Sequence, residues 1–122
     1  MLPAEFWEGV AAFNQEEFYT CHDILEALWL EATVLDRNFY QGILQIAVAC
    51  YHLGNGNWQG CVTLLGEGIR RLYDYQPDWQ GVDVTQLVAD SQELLQVLQL
   101  CGVDGLAQFQ SARLPKIIRK HD

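Results

Sequence analysis

Basic residues are scarce in this sequence. Seven Lys and Arg stand against 16 Asp and Glu in 122 residues, a formal net charge of −9. Nucleic-acid binding depends on cations that neutralise phosphates, so this balance argues against DNA or RNA as a partner. It argues equally against docking on an anionic membrane. The few cations are unevenly spread. Arg70 and Arg71 share one turn, while Arg113, Lys116, Arg119 and Lys120 gather near the C-terminus among Ile117 and Ile118, in a stretch expected to dock its apolar residues. Cys21, Cys50, Cys61 and Cys101 have no C-x-x-C spacing, and each sits in a helical apolar context where a free thiol behaves as a small buried hydrophobe. No apolar run reaches membrane-spanning length; the longest candidate carries Gln45 and is closed by His52. The start, with Pro3, Glu5 and Glu8, has neither the basic region nor the apolar stretch of a secretory signal. Gly54-Asn55-Gly56 reads as a turn between helices, with no Lys to make it a phosphate loop. These absences predict a soluble, cytoplasmic protein.

Apolar residues, by contrast, make up 50% of the chain and charged ones only 19%. A single domain over residues 1–122 buries roughly two-thirds of its unfolded surface, enough for a core without staples. The low charge density leaves apolar area to cover, which predicts a homodimer.

The apolar spacing is helical almost throughout. Phe6, Trp7, Val10 and Phe13 mark a first helix opened by Pro3. Asn14 with Glu17 three residues on reads as a capping box for a second helix running through Phe18, Cys21, Leu25, Leu28 and Trp29 to about Ala32. Asp36 is the expected cap of a third helix ending at Gly54, and Asn57 that of a fourth ending before Pro77. After a loop with Trp79 and Gly81, Asp83 caps a fifth helix closed by Gly102, and Leu114-Pro115 enforces an extended tail. Short connections imply antiparallel neighbours. The predicted fold class is all-α: a bundle of about five helices with an extended C-terminal tail. Gly42 inside its helix predicts close approach of a neighbouring helix, and Gly66 and Gly68 predict a close contact or a local bend, since each costs about 1 kcal/mol relative to alanine. Phe18, Trp29, Tyr40, Tyr51 and Trp58 are expected in the core, and Trp7 and Trp79 at a subunit contact.

Two polar stripes interrupt this apolar pattern. At helical spacing His22, Glu26 and Trp29 share one face, and Gln41, Gln45, Val48 and His52 another. Burying an imidazole, a carboxylate and amides costs free energy unless they satisfy one another, so the stripes form either a core network or a site.

The segment His22-Asp-Ile-Leu-Glu26-Ala-Leu-Trp29 resembles a pattern His-Glu-x-Leu-Glu-x-x-Trp, and Gln41-Gly42-Ile-Leu-Gln45-x-Ala47 followed by His52 resembles Gln-Gly-x-Ile-Gln-x-Ala followed by His. Gly56-Asn57-Trp-Gln-Gly60-Cys61, with Leu64-Leu65, Gly68 and Arg71-Leu72, resembles a Gly-Asn-x-x-Gly-Ala helix start and its continuation. Together they are similar to the family catalogued as domain of unknown function 309, over roughly residues 13–75. The resemblance implies a small all-helical bacterial or plastid protein without an established activity. Asp23 stands where the family usually has Glu, and Cys61 where Ala is usual.

The candidate cluster is therefore His22, Asp23, Glu26, Gln41, Gln45 and His52. As a buried network, Glu26 accepts from His22, Gln41 and Gln45 bridge helices, and His52 sits at a helix C-terminus, where a cation is favoured. As a pocket, the same groups bind a small ligand or a protein partner without catalysis and without a cofactor. As a metal site, His22, Glu26 and His52 would hold a divalent metal such as zinc beside Asp23 or Gln45. Metal-bound water would then act as a hydrolytic nucleophile, with Glu26 or Asp23 as base. Residues i and i+1 diverge on a helix, so Cys21-His22 is not a nucleophile-base pair. The expected reading is a binding or structural module with a buried cluster, the metal-assisted hydrolase being its rival.

Overall fold

The structure, a computed structural model, describes residues 1–108 and 113–120. Five helices follow one another: α1 Ala4–Asn14, α2 Phe18–Glu31, α3 Val34–Gly54, α4 Trp58–Leu72 and α5 Val84–Gly105. Each packs against its predecessor, as short connections require. Among the described residues, none of these helices is long and apolar enough to cross a membrane. The all-helical bundle stands as expected.

The core is built from the helix positions that repeat every three or four residues. Phe6 and Phe13 of α1, Leu25 of α2, Phe39, Ile43 and Ile46 of α3, Leu65 and Leu72 of α4, and Leu87 and Leu98 of α5 are fully buried. Full burial of such side chains stabilises by about 1.5–3 kcal/mol each. The tightest seam lies between α3 and α4. A Cβ at Gly42 would sit 2.7 Å from Leu72 Cγ, and one at Gly68 would sit 2.7 Å from Ile46 Cγ1 and 2.8 Å from the Gly42 carbonyl oxygen. Gly66 is different: nothing stands within 4 Å of its missing Cβ, so no close contact explains that glycine.

Two expected caps are present. Asn57 Oδ1 accepts from Gly60 N at 2.9 Å, and Asp83 Oδ1 from Gln86 N at 3.0 Å. The other two side chains have long-range partners instead. Asn14 ends α1 rather than capping α2; its amide donates to the Ile117 carbonyl at 2.9 Å and accepts from Ile117 N at 2.8 Å. Asp36 lies inside the first turn of α3, where it accepts from Trp79 Nε1 at 3.1 Å and Gln80 Nε2 at 2.6 Å. The positions before α2 and α3 are Glu17 and Thr33, neither of which makes a side-chain cap.

The loop after α4 is a minimal hairpin. Strand β1 (Asp78–Trp79) pairs antiparallel with β2 (Val82–Asp83) through a turn in which Gln80 (φ 46°) and Gly81 (φ 91°) both have positive φ. Such a turn follows the twist of the strands it joins. The extended tail adds to β2 by a Val82–Arg119 bridge, with Asp83 N donating to Ile118 O at 2.9 Å. Gly102 (φ 66°, ψ 177°) is non-helical and closes the long regular part of α5 as expected; a short second helical piece follows it to Gly105.

Candidate functional site

Where α2 and α4 flank α3, their side chains leave a groove of about 240 Å³. Trp29, Leu44, Val48 and Leu64 supply its apolar surface, and His22, Glu26, Gln41 and Gln45 its polar lining. The two stripes therefore meet, because α2 and α3 form an antiparallel hairpin that lays their 3–4-spaced faces side by side.

The cluster is open, not buried. His22 Nε2 lies 3.0 Å from Glu26 Oε2 and Nδ1 lies 3.3 Å from Asp23 Oδ1. The side chains of His22, Glu26 and Asp23 are 30%, 51% and 64% exposed, so water reaches all three. The expectation of a buried network fails here because His22 and Glu26 stand at the edge of the α2–α3 contact, while Cys21 and Leu25 take the inward positions.

Gln45 does bridge helices, but α3 to α4. Its amide donates to Glu67 Oε2 at 3.1 Å, and its oxygen accepts from Arg71 Nε at 3.0 Å. Arg71 Nη1 also donates to Asn38 Oδ1. Gln41 lines the groove and has no side-chain hydrogen bond among the described residues. His52 is not part of the lining; its Nδ1 lies 3.4 Å from Asn57 Nδ2 at the start of α4. The proposed ligand trio His22, Glu26 and His52 is thus not assembled, and among the described residues no group of three His, Cys, Asp or Glu is placed to hold a metal ion. One helical turn separates His52 from Val48, and at that level α3 has passed the end of the groove.

The aromatic residues divide differently from the sequence expectation. Phe18 and Tyr40 are buried, and Trp58 donates to Leu98 O at 2.8 Å. Tyr51 is 41% exposed, and Trp29 forms a groove wall with its Nε1–H covered and unpaired. Trp79 packs inward, edge to face with Tyr75, and Trp7 lies beneath the Arg119 guanidinium. Burial pushes the Cys21 and Cys61 thiols up to about 12 and the Cys50 thiol further up, so these sulfurs stay protonated at neutral pH and are not nucleophiles.

Sequence reasoning missed three residues around the groove. Arg37 stacks on Trp29 from the next helix, and Glu67 and Arg71 hold Gln45. The i, i+4 spacing of Glu67 and Arg71 placed them on one face of α4, but only the α3–α4 contact connects that face to Gln45.

Residues 6–64 match the family model described as Domain of unknown function (DUF309). The matched stretch, 59 residues, is just under half of the chain. The DUF309 match takes in every groove-lining residue from His22 to Leu64, while Glu67 and Arg71 lie beyond it. Over 119 residues the chain is 29% identical to the uncharacterized protein YpuF of Bacillus subtilis (strain 168), a match covering 94% of this chain and 66% of that protein. It is 25% identical over 89 residues to an uncharacterized protein of Aquifex aeolicus (strain VF5), covering 72% of this chain and 27% of the other. The chain thus spans just under two-thirds of the first relative's length and about a quarter of the second's. No solved structure matches.

Proposed function

We propose that this protein is a ligand-binding module whose α2–α3–α4 groove takes one small apolar group. The observation that carries this reading is the groove itself. The two polar stripes face each other across an opening with an apolar surface, instead of closing on each other as a core network does. A 150 Å³ apolar cavity holds a benzene molecule, so about 240 Å³ accommodates an aromatic ring or a short branched chain. His22, Glu26, Gln41 and Gln45 then fix the orientation of the polar part. Hydrolysis assisted by a metal has less support, because its three ligands are not gathered.

Amide NMR during titration with 2-phenylethanol tests the proposal. Saturable shifts centred on Trp29, Val48 and Leu64 are the expected result, abolished in Val48→Trp, which fills the groove. Shifts that do not saturate, or that survive Val48→Trp, would refute it.

The homodimer belongs to the same proposal. Leu30, Val34 and Leu35 at the α2–α3 corner are 61%, 90% and 71% exposed, and a second copy is the occupant proposed to cover them. Sedimentation equilibrium of Val34→Lys against the parent chain checks this. An unchanged dimer, or a monomeric parent, counts against it.

A further inference from the structure

We infer that the ligand of this groove carries a carboxylate, received between Arg37 and Arg71 on the two shoulders of α3. The inference rests on the groove being a binding site and adds the chemistry of its ligand.

Charge pairing provides the first ground. Arg113, Lys116 and Lys120 each have a carboxylate within 4 Å: Glu93, Glu16 and Asp78. Arg119 lies over Trp7 at 4.1 Å. In a chain with 16 acidic residues, Arg37, Arg70 and Arg71 have no such partner among the described residues, and of these Arg37 and Arg71 touch groove-lining side chains, Trp29 and Gln45. Leaving cations unneutralised in so acidic a protein costs attraction that a neighbouring Asp or Glu would supply.

Position provides the second. The Arg37 guanidinium carbon is 4.5 Å from the centre of the Trp29 ring, and that ring is a wall of the groove. Arg71 rises from α4 on the opposite side, with Nε on Gln45 Oε1 and Nη1 on Asn38 Oδ1. At 100° per residue, position 37 and positions 38 and 45 fall on opposite sides of the groove-lining pair Gln41 and Val48. Through Trp29 on one side and Gln45 on the other, the two guanidinium groups therefore flank one end of the groove, beside its lining and not in it. The two neutral oxygens that hold Arg71 fix its plane without cancelling its charge.

The unpaired groups supply the third. Trp29 Nε1, covered in the groove wall, has no acceptor among the described residues, and Gln41 in the groove lining has an unused amide. With the guanidinium N–H groups these make a set rich in donors, which calls for an acceptor of negative charge. A planar carboxylate matches a guanidinium in two parallel hydrogen bonds. The carboxylates present also limit the choice. Glu67 sits on Gln45 and Glu26 on His22, so the site suits a single negative charge better than a phosphate dianion. An apolar monocarboxylate, with its body against Leu44, Val48 and Leu64, meets all these conditions.

Dissociation constants from NMR titration test this with phenylacetate, its neutral analogue phenylacetamide, and phenyl phosphate. Phenylacetate should bind about tenfold tighter than the amide, the gain expected of charge-assisted hydrogen bonds. Arg37→Gln and Arg71→Gln should each erase most of that preference, and Arg70→Gln, a neighbouring exposed cation, should leave it intact. Arg71→Lys, which keeps the charge and loses the fork, should retain part of it and covers the case where Arg71→Gln melts early. Acetyl-Gly-Phe, whose carboxylate ends a peptide, separates a protein C-terminus from a free acid as the source; tighter binding by either supports the carboxylate. Equal binding of acid and amide within the groove would overturn the carboxylate and leave the groove standing. Absence of saturable binding by every probe would remove both. A preference that survives both arginine variants, or phenyl phosphate binding tightest, would also overturn it.

Discussion

Gly66 and Gly68 stand two residues apart on α4, and alanine at the two positions should act in opposite directions. Each exchange relieves the backbone of glycine's extra freedom, which favours the helix by about 0.5–1 kcal/mol. At Gly66 nothing lies within 4 Å of the new methyl, so the gain is kept. At Gly68 the methyl would fall 2.8 Å from the Gly42 carbonyl oxygen and 3.2 Å from Ile46 N, as well as 2.7 Å from Ile46 Cγ1. The side chain could rotate, but the backbone atoms can yield only if α4 moves off α3. Overpacking of this kind costs about 1–3 kcal/mol, and more where backbone must shift, which outweighs the propensity gain. For a chain of this size 1 kcal/mol corresponds to about 4 °C in Tm. Thermal unfolding followed by circular dichroism should therefore place Gly66→Ala about 2–4 °C above the parent and Gly68→Ala several degrees below. A Gly68→Ala protein at or above the parent Tm would refute the close α3–α4 approach.

Glu26→Gln should cost no more than about 0.5 kcal/mol in urea denaturation, since its carboxylate is half exposed and among the described residues pairs only with His22 one turn away; a loss above 2 kcal/mol would mean a buried network after all. Asn14→Ala removes both bonds to Ile117 and should free the tail from α1, read as faster amide exchange at Ile117 and Ile118 with a stability loss of about 1–3 kcal/mol. Unchanged exchange would show that Ile117 burial and the bonds to β2 hold the tail without the Asn14 side chain. The native chain keeps its Cys21 and Cys61 thiols protonated up to about pH 12, whereas unfolded thiols ionise from about 8.5, so stability should be full below pH 8 and decline as pH rises from there toward 12. The slope of the urea midpoint between pH 8 and 10.5 should flatten in Cys21→Ala/Cys61→Ala, and an equal slope would contradict this burial.

The helices were legible because each carries its own signal. Asn57 and Asp83 cap the helices they precede, and the 3–4 spacing of Phe39, Ile43 and Ile46 fixes the face α3 buries. Asn14 and Asp36 misled for one physical reason. A cap is worth about 1 kcal/mol, and a long-range partner that satisfies the same oxygen displaces it. The Ile117 backbone does so for Asn14, and Trp79 and Gln80 do so for Asp36. The hairpin at Asp78–Asp83 is too short for alternation to show, and its ladder is completed by Ile118 and Arg119 from the distant tail. Gly66 and Gly68 look alike in sequence, and only the neighbouring helix tells them apart.

The site divides in the same way. By itself the sequence determined the helices, their antiparallel order and the faces on which His22, Glu26, Gln41 and Gln45 lie, because backbone periodicity and capping act within a few residues. Whether those faces close or open depends on how far apart α2 and α4 stand on α3, which is set by side-chain volumes along both seams at once. Gly42 and Gly68 draw α4 against α3, and the groove remains on the α2 side of that contact. That arrangement left Glu26 in water and His52 outside, and it brought Arg37 and Arg71 to the two shoulders of one groove. No local pattern encodes such a meeting, since the residues concerned come from three helices and are joined only by packing.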